Sequence, residues 1–505
     1  MDRTFIEVQF PIGPLSLESY KERDAKGSKA LSSLGKWWGA KPLVLVRAII
    51  LGAVFPASDD PERWPEDLDI FLRCMCLDNA GMWKRKTKPL PAELCYPQAT
   101  LEERDALFQD EDTWRRAGID RAAREALERR VFYTLGHTEQ RDYCCRVEEM
   151  DGPPEESWHE ISAYLGTDAQ TLPALIQQLA YRRHGRRLKV GDAFSGMGSI
   201  PFEAAELGCD VYASDLNPVA CLLTWGALNI VGGTDAFRDR VHAEQQKVYD
   251  AVDAWILEQG IETSAEGWRA EAYLYCIEMT VPEWDGWRIP IAPSWVIAPK
   301  TETWVELAPI ESEKRFGFRV RTGGAGFSKA DQGTKDGADI VCPAPLRAVF
   351  KRDGRLREIP PSVPYNRLIE NAGGLRRWEK SDYMPRPDDV LQERLYCIRW
   401  RTPDRLVGGR LRRGDLIYRE PRSHDLDAEG QVVRLLSEVF DDWQQAGWIP
   451  SWRIEPGQET TRLTREKGWT HWHHLFTPRQ LLIAGAYSMQ IGNADPEVRP
   501  ALTLN

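Results

Sequence analysis

One stretch constrains this chain more than any other: Val190–Pro218, VGDAFSGMGSIPFEAAELGCDVYASDLNP. Arg187–Asp192 reads as a short strand, followed by a glycine-rich turn. A helix from about Ser199 to Leu207 is stopped by Gly208, the residue type that best tolerates a left-handed helix end. Asp210–Ser214 reads as a second strand. A further helix opens after Asn217-Pro218, with Pro218 near its first turn, where a missing N–H costs nothing. Glycines at 196 and 198 let a cofactor approach the backbone with no side chain between. The start of the following helix adds free N–H groups. Asp215, closing the second strand, can accept both hydroxyls of a ribose. The turn is not GxGxxG, which disfavours a dinucleotide. The spacing points to S-adenosylmethionine (SAM), with another nucleotide or a plain structural βαβ unit as the alternatives.

The rest of the chain sets the bounds. A length of 505 residues suggests two to four structural units. A hydrophobic share of 42 % is enough for a sizeable core. No apolar run reaches membrane-spanning length; Pro42–Pro56 holds Arg47 and two prolines and reads as a buried helix. The start, Met1-Asp2-Arg3, is not a signal peptide, so a cytoplasmic location is expected. Ten cysteines without regular spacing read as reduced, mostly structural thiols. A net charge of −11 is unhelpful for holding DNA, although local basic surfaces can still exist. Three basic clusters stand out, Lys84–Lys88, Arg182–Arg187 and Arg410–Arg413, and each reads first as a solvated face or linker. Of the twenty tryptophans, most are expected in the core and a few are candidates for stacking on bases.

Phe5–Phe10 alternates apolar and polar residues and predicts a strand, and a helix follows from Leu43 to about Val54. Five segments are expected: an N-terminal strand and core segment (1–58), a helical insertion (59–185), a βαβ core (186–262), a β-rich inserted domain (263–425) and a helical return (426–505). Val241, Val248, Val252 and Trp255 share one face of a helix over Arg238–Glu258. Gly323–Asp339 reads as a mobile loop, and helices are predicted at Val432–Ala446 and Pro478–Ile491.

Val190–Pro218 resembles motif I of amino-methyltransferases, with Ala193 in place of the usual proline. The resemblance implies an α/β, Rossmann-like class I SAM-dependent methyltransferase core. Asp192, Phe194, Gly196 and Gly198 would line the methionine side and Asp215 the ribose, with Ser195, Ser199, Leu216 and Asn217 also counted in the cofactor site. Upstream, Lys36-Trp37-Trp38-Gly39-Ala40-Lys41-Pro42-Leu43 resembles the motif X region that closes on the cofactor, which adds Lys36, Trp37, Trp38 and Lys41. Near the C-terminus, Trp472-His473-His474-Leu475-Phe476-Thr477-Pro478-Arg479-Gln480-Leu481 resembles the W-x-D-LFTPRQ-L element of large adenine-specific DNA methylases with an internal zinc-ribbon segment, found in prokaryotic anti-phage clusters of the DISARM type. His474 stands where that family has an acid.

Two family features are missing. Flipped adenine needs a (D/N/S)PP(Y/F/W) motif, whose acceptors draw the amine hydrogens while the aromatic ring stacks on the base. The two Pro-Pro pairs, Pro153-Pro154 and Pro360-Pro361, do not fit it. There is no Pro-Cys nucleophile loop of a cytosine-C5 enzyme either. The zinc positions are degenerate: Val281-Pro282-Glu283-Trp284 has no cysteine and Cys342-Pro343-Ala344-Pro345 has one. Four ligands are needed, so no metal is expected, and Trp284 and Pro345 are expected to pack instead. His471, His473 and His474 are expected on a wet surface or at a phosphate. The resemblance therefore implies a SAM-binding component of a DNA adenine-N6 methyltransferase used in host-DNA modification within restriction-modification or anti-phage defence. Its partners would be DNA and a second polypeptide carrying the catalytic motif, or other defence subunits, with no membrane. The alternatives are a non-catalytic DNA-recognition or SAM-sensing subunit, and an RNA guanine-N2 methyltransferase.

Overall fold

The computed structural model describes residues 3–24, 31, 34–35, 37, 39–115, 118–407 and 410–504. The protein is a mixed α/β chain that divides into two compact units, Met1–Ala243 with Pro496–Asn505, and Glu244–Asp495. Among the described residues no single helix is long and apolar enough to cross a membrane.

The first unit is built around the helix Leu43–Val54, LVLVRAIILGAV. It is apolar on nearly every face and therefore needs cover all round. The helices Ile12–Asp24, Leu172–His184 and Ser199–Glu206 supply that cover. Phe5, Phe55 and Phe71 meet beside it, with Phe5 stacked on Phe71 at 4.3 Å and edge-on to Phe55 at 5.3 Å. The expected strand Phe5–Phe10 is instead a short helix, Phe5–Val8. The cause is a capping box: Glu7 accepts from the Thr4 backbone N–H at 2.7 Å and from its hydroxyl at 2.6 Å. Helices dominate the described residues from Pro61 to His184, with a small hairpin at Phe108–Trp114.

The βαβ element forms as its sequence predicts. Strand Lys189–Asp192 pairs in parallel with Asp210–Ala213, in register from Lys189↔Asp210 to Asp192↔Ala213. The helix Ser199–Glu206 crosses between them, and Pro218–Gly226 follows the second strand. Val190 and Val211 pack against the core of this unit. On the opposite side of the pleat Lys189, Gly191, Asp210 and Tyr212 are exposed. No third strand joins this sheet among the described residues. Helix Arg499–Thr503 returns to the first unit, where Leu504 lies against Gly226 and Glu497 pairs with Arg240 at 2.9 Å.

Helix Asp235–Gln259 leads into the second unit. Its Val241, Val248 and Val252 are buried, as the predicted face requires. A four-stranded antiparallel sheet follows, ordered Leu416–Arg419, Leu391–Arg401, Arg269–Val281, Trp287–Ile291. Two three-stranded sheets, led by Val296–Ala298 and Lys335–Asp336, accompany it. Trp284, Trp287, Trp295 and Phe316 fill the core here. Trp284 is fully buried and donates from Nε1 to the Pro360 carbonyl at 2.9 Å, which matches its expected packing role, while Pro345 is half-buried. The Gly323–Asp339 segment, expected as a mobile loop, holds the helical turn Phe327–Ala330 and the strand Lys335–Asp336. Buried Thr334 anchors it, donating to the Pro290 carbonyl and accepting from the Ala292 N–H at 3.0 Å. Finally, Ser423–Ala446 and Pro478–Asn493 pack closely enough that a Cβ at Gly485 would lie 2.1 Å from Cε3 of Trp443.

Candidate functional site

The site forms where the parallel strands end. Gly196 and Gly198 both take positive φ, +56° and +84°, a conformation that favours glycine. At Gly198 the space is also closed: an added Cβ would meet the Thr224 Cα at 3.0 Å. The Asp215 carboxylate joins the two ends of the motif. Oδ2 accepts from the Gly196 N–H and Oδ1 from the Asn217 N–H, both at 2.9 Å. The N–H groups of Asn217 and then Gly196 hold the carboxyl below its ordinary range. A carboxylate has about four acceptor sites, so each oxygen retains one for an outside donor such as a ribose hydroxyl. Asn217 caps the next helix by accepting from the Val219 N–H at 2.9 Å, and Asp192 accepts from the Phe194 N–H at 3.1 Å.

Ser195, Gly196, Gly198 and Ser199 are buried under the turn, whereas Phe194 is 82 % and Leu216 94 % exposed. Trp37 reaches the turn from the upstream segment: a Cβ on residue 196 would lie 2.6 Å from its Nε1. The indole is therefore a wall of the crevice, in contact with the Gly196 backbone. Lys41 is exposed. Lys36 and Trp38 lie outside the described residues.

Sequence reading missed two residues of the site. Thr224 donates toward Ser195 Oγ at 2.9 Å and the Gly196 carbonyl at 3.2 Å, and so pins the turn from the next helix. Nothing in its local sequence marks it. The other is Glu203, fully buried behind the turn and paired with Arg47 at 2.5 Å. Its charge on an otherwise apolar helix face was the available signal. Arg47 also donates to the Val147 and Met150 carbonyls at 3.0 and 2.8 Å, while Glu203 Oε2 is buried with no partner among the described residues. Burial outweighs the attraction of Arg47 and raises the Glu203 carboxyl to about 7 from 4.5. The folded state thus binds this proton more tightly than the unfolded chain. The resulting stability is present in full below pH 4.5 and is lost as pH rises to about 7, by linkage on the order of 3 kcal/mol. Glu203→Gln should remove that slope. Chemical denaturation of parent and variant across this window measures it, and parallel curves would refute it.

The first basic cluster is structural at its centre, while Lys84 and Lys88 lie on the exposed face the sequence suggests. Arg85 is completely buried and pairs with Glu18 at 2.6 Å, Lys86 pairs with Glu128 at 2.5 Å, and Lys84 donates to the Gly152 and Pro153 carbonyls. Arg182, from the second cluster, donates to the carbonyls of Leu165 and Gly166 at 2.6 and 2.7 Å, at the end of a neighbouring helix. The histidines also depart from expectation. His473 and His474 are buried, not wet. His474 Nδ1 accepts from the N–H groups of Thr470 and His471 at 3.1 and 3.3 Å, the capping task an acid performs, and Nε2 donates to the Glu379 carbonyl. Burial pushes His473 down to about 4 and His474 to about 3, so both are neutral. The LFTPRQ element is likewise structural at several positions. Thr477 and Gln480 form a capping box, Pro478 opens the helix, and buried Arg479 joins Glu429 at 3.0 Å and the face of Tyr273. Cys276 and Cys342 are buried, and burial raises each thiol to about 12.

Residues 9–72 match a family model described as a protein of unknown function, DUF1156. That match covers the N-terminal helices and stops before the glycine turn. No curated protein and no solved structure matches the chain.

Proposed function

We propose that the turn at 192–217 binds SAM and that the chain is the cofactor-binding component of a DNA adenine-N6 methyltransferase with a Rossmann-like class I core. The observation that carries this reading is the 2.9 Å hydrogen bond from the Gly196 N–H to Asp215. It unites bare backbone and carboxylate at the carboxyl ends of two parallel strands, where open α/β sheets bind ligands. Asp215 offers two remaining acceptor sites to the ribose, and exposed Leu216 offers an apolar face to adenine. Trp37 and the Gly196 backbone would flank the methionine end.

A two-stranded parallel sheet with one face bare is unusual, because parallel sheets are normally covered on both faces. Tyr212 is 70 % exposed on that face, and among the described residues each strand has one unpaired edge. This supports a core completed by further strands, from polypeptide that also brings the (D/N/S)PP(Y/F/W) motif absent from this sequence. DNA binding and a role in defence rest on the sequence resemblance. A non-catalytic, SAM-sensing subunit is the second reading, favoured by the missing motif and the net charge of −11.

Equilibrium binding of labelled SAM tests the pocket. The parent should bind, and Asp215→Ala should bind about 100-fold more weakly or worse, since hydrogen bonds to a charged acceptor contribute roughly 1.5–3 kcal/mol each. A parent that does not bind SAM, or a variant that binds equally well, ends the proposal. Adding a polypeptide with the catalytic motif should then yield N6-methyladenine; SAM binding without transfer would leave the sensing reading.

A further inference from the structure

Strand Leu391–Arg401 has one edge that is only partly used. On one side it pairs along its length with Arg269–Val281. On the other, 398–401 pair with Leu416–Arg419, and over 391–397 no strand is paired among the described residues. The cause is local. After Arg419 the chain reaches Glu420-Pro421, and a proline has no N–H with which to continue a ladder. Glu420 turns instead to strand Arg315–Thr322, where its carboxylate accepts from the Val320 N–H at 3.1 Å. Helix Ser423–Ala446 then begins.

The vacated edge opens on a groove of about 610 Å³. Residues from both faces of the sheet line it: Leu395 and, opposite in register, Tyr275 on one face, Arg394 on the other. Both faces are covered. On the first, the helix presents Leu426, Gly430 and Val433, and the Tyr275 hydroxyl ties it down by donating to Glu429 at 2.7 Å. On the second, the Arg394 guanidinium lies 4.5 Å from the centre of the Phe318 ring. The opening is therefore a slot at the level of the sheet, ending on a row of backbone N–H and C=O groups. Such a row is complemented by another backbone. A duplex or a folded domain is too thick to enter between two covering layers. A nucleic-acid strand is disfavoured by charge: Glu393, Glu420 and Glu429 line the slot, and Glu278 holds both of its arginines, Arg315 at 3.2 Å and Arg394 at 2.5 Å. Gly430 points the same way. Glycine in mid-helix weakens the helix, yet an added Cβ here would meet nothing within 4 Å, so packing inside the chain does not call for it. Room for an incoming strand does. Leu426, beside it, is 53 % exposed.

We infer that an extended peptide segment of a partner protein adds as a strand to the 391–397 edge. Apolar residues at alternate positions would face Leu395, Leu426 and Val433. Between them, Thr, Gln or Asn would face Arg394, which bonds Glu278 through one N–H and keeps others for an oxygen acceptor. The inference makes no use of the SAM site, so the two readings fail separately.

The test uses the full chain and a set of fluorescein-labelled hexapeptides that alternate Val, Ile or Leu with Thr, Gln or Asn. Anisotropy should find binders in this set. For the tightest of them, N-methylation of every second backbone nitrogen should abolish binding in one register and spare it in the other, because alternate N–H groups of a strand face its neighbour. Amide exchange over 391–397 should slow by about tenfold or more in the complex. Gly430→Phe, which fills the slot, should weaken binding by about tenfold or more, while Gly430→Ala binds as the parent does. Thermal melting confirms that both variants fold, and the N-methylated peptides need no variant at all. No binder in the set, an equal loss in both N-methylation registers, or parental binding by a folded Gly430→Phe would overturn the inference. A parent dimer that Gly430→Phe dissolves, seen by light scattering, would give the edge to a second copy and overturn a partner peptide. Loss of SAM binding in the parent, with peptide binding intact, would overturn the cofactor reading alone.

Discussion

Glu18→Ala should lower the stability of the first unit by about 3–5 kcal/mol, the usual cost of stranding one partner of a buried ion pair. Arg85 has no access to solvent, and Glu18 meets it twice, at 2.6 Å and 3.3 Å. Without the carboxylate the guanidinium keeps the Cys145 and Cys76 carbonyls but has no counter-charge. In a unit of this size each kcal/mol moves the midpoint by roughly 2–4 °C, so a fall on the order of 10 °C is expected in a melting scan. The double variant Glu18→Leu/Arg85→Met separates pairing from packing. Replacing both charges by apolar groups is often neutral or better, so it should melt well above the single variant. A double variant as unstable as Glu18→Ala would show that packing, not charge, is at stake.

Gly198→Val should cost about 2–6 kcal/mol and remove SAM binding together with local order. Two penalties combine. A β-branched residue at φ +84° is strained by roughly 1–3 kcal/mol, and overpacking typically adds about 1–3 kcal/mol. The close neighbour is the Thr224 backbone at 3.0 Å, which cannot turn aside as a long side chain would. Relief would move Thr224 away from Ser195 and Gly196 and loosen the turn it pins. Urea denaturation with a parallel SAM titration measures both effects. A variant with parental stability would mean the helix shifts without resistance. Gly196→Ala offers a contrast, because its obstacle is the Trp37 indole, a side chain and not backbone.

How much of this was readable from the sequence depended on the range of the forces involved. The strand, turn, helix and second strand over 189–213 were legible because their signals are local: glycine, periodicity and a stop at Gly208. Asp215 was legible for the same reason, as an acid at a strand end. Phe5–Val8 was misread because alternation over a few residues cannot separate a strand from one helical turn. The Thr4-x-x-Glu7 capping signature was nevertheless present and should have decided it. Arg85 could not be placed, since the acid that explains its burial lies 67 positions away. Thr224 and the buried state of His473 and His474 also depend on partners distant in sequence. Trp37 was named from resemblance, and its contact with Gly196 gives that naming a physical basis.

The order in which the ribosome delivers the two units follows from their interleaving. Residues 496–505 belong to the first unit, yet the whole of Glu244–Asp495 is synthesised before them. At about 5–20 residues per second, the nascent first unit waits tens of seconds or less with the groove beside Gly226 uncovered, until Leu504 arrives. The intervening unit is one continuous segment, Glu244–Asp495, and awaits no residue synthesised after it. Translation speed and chaperone supply should therefore govern the yield of the first unit more than that of the second.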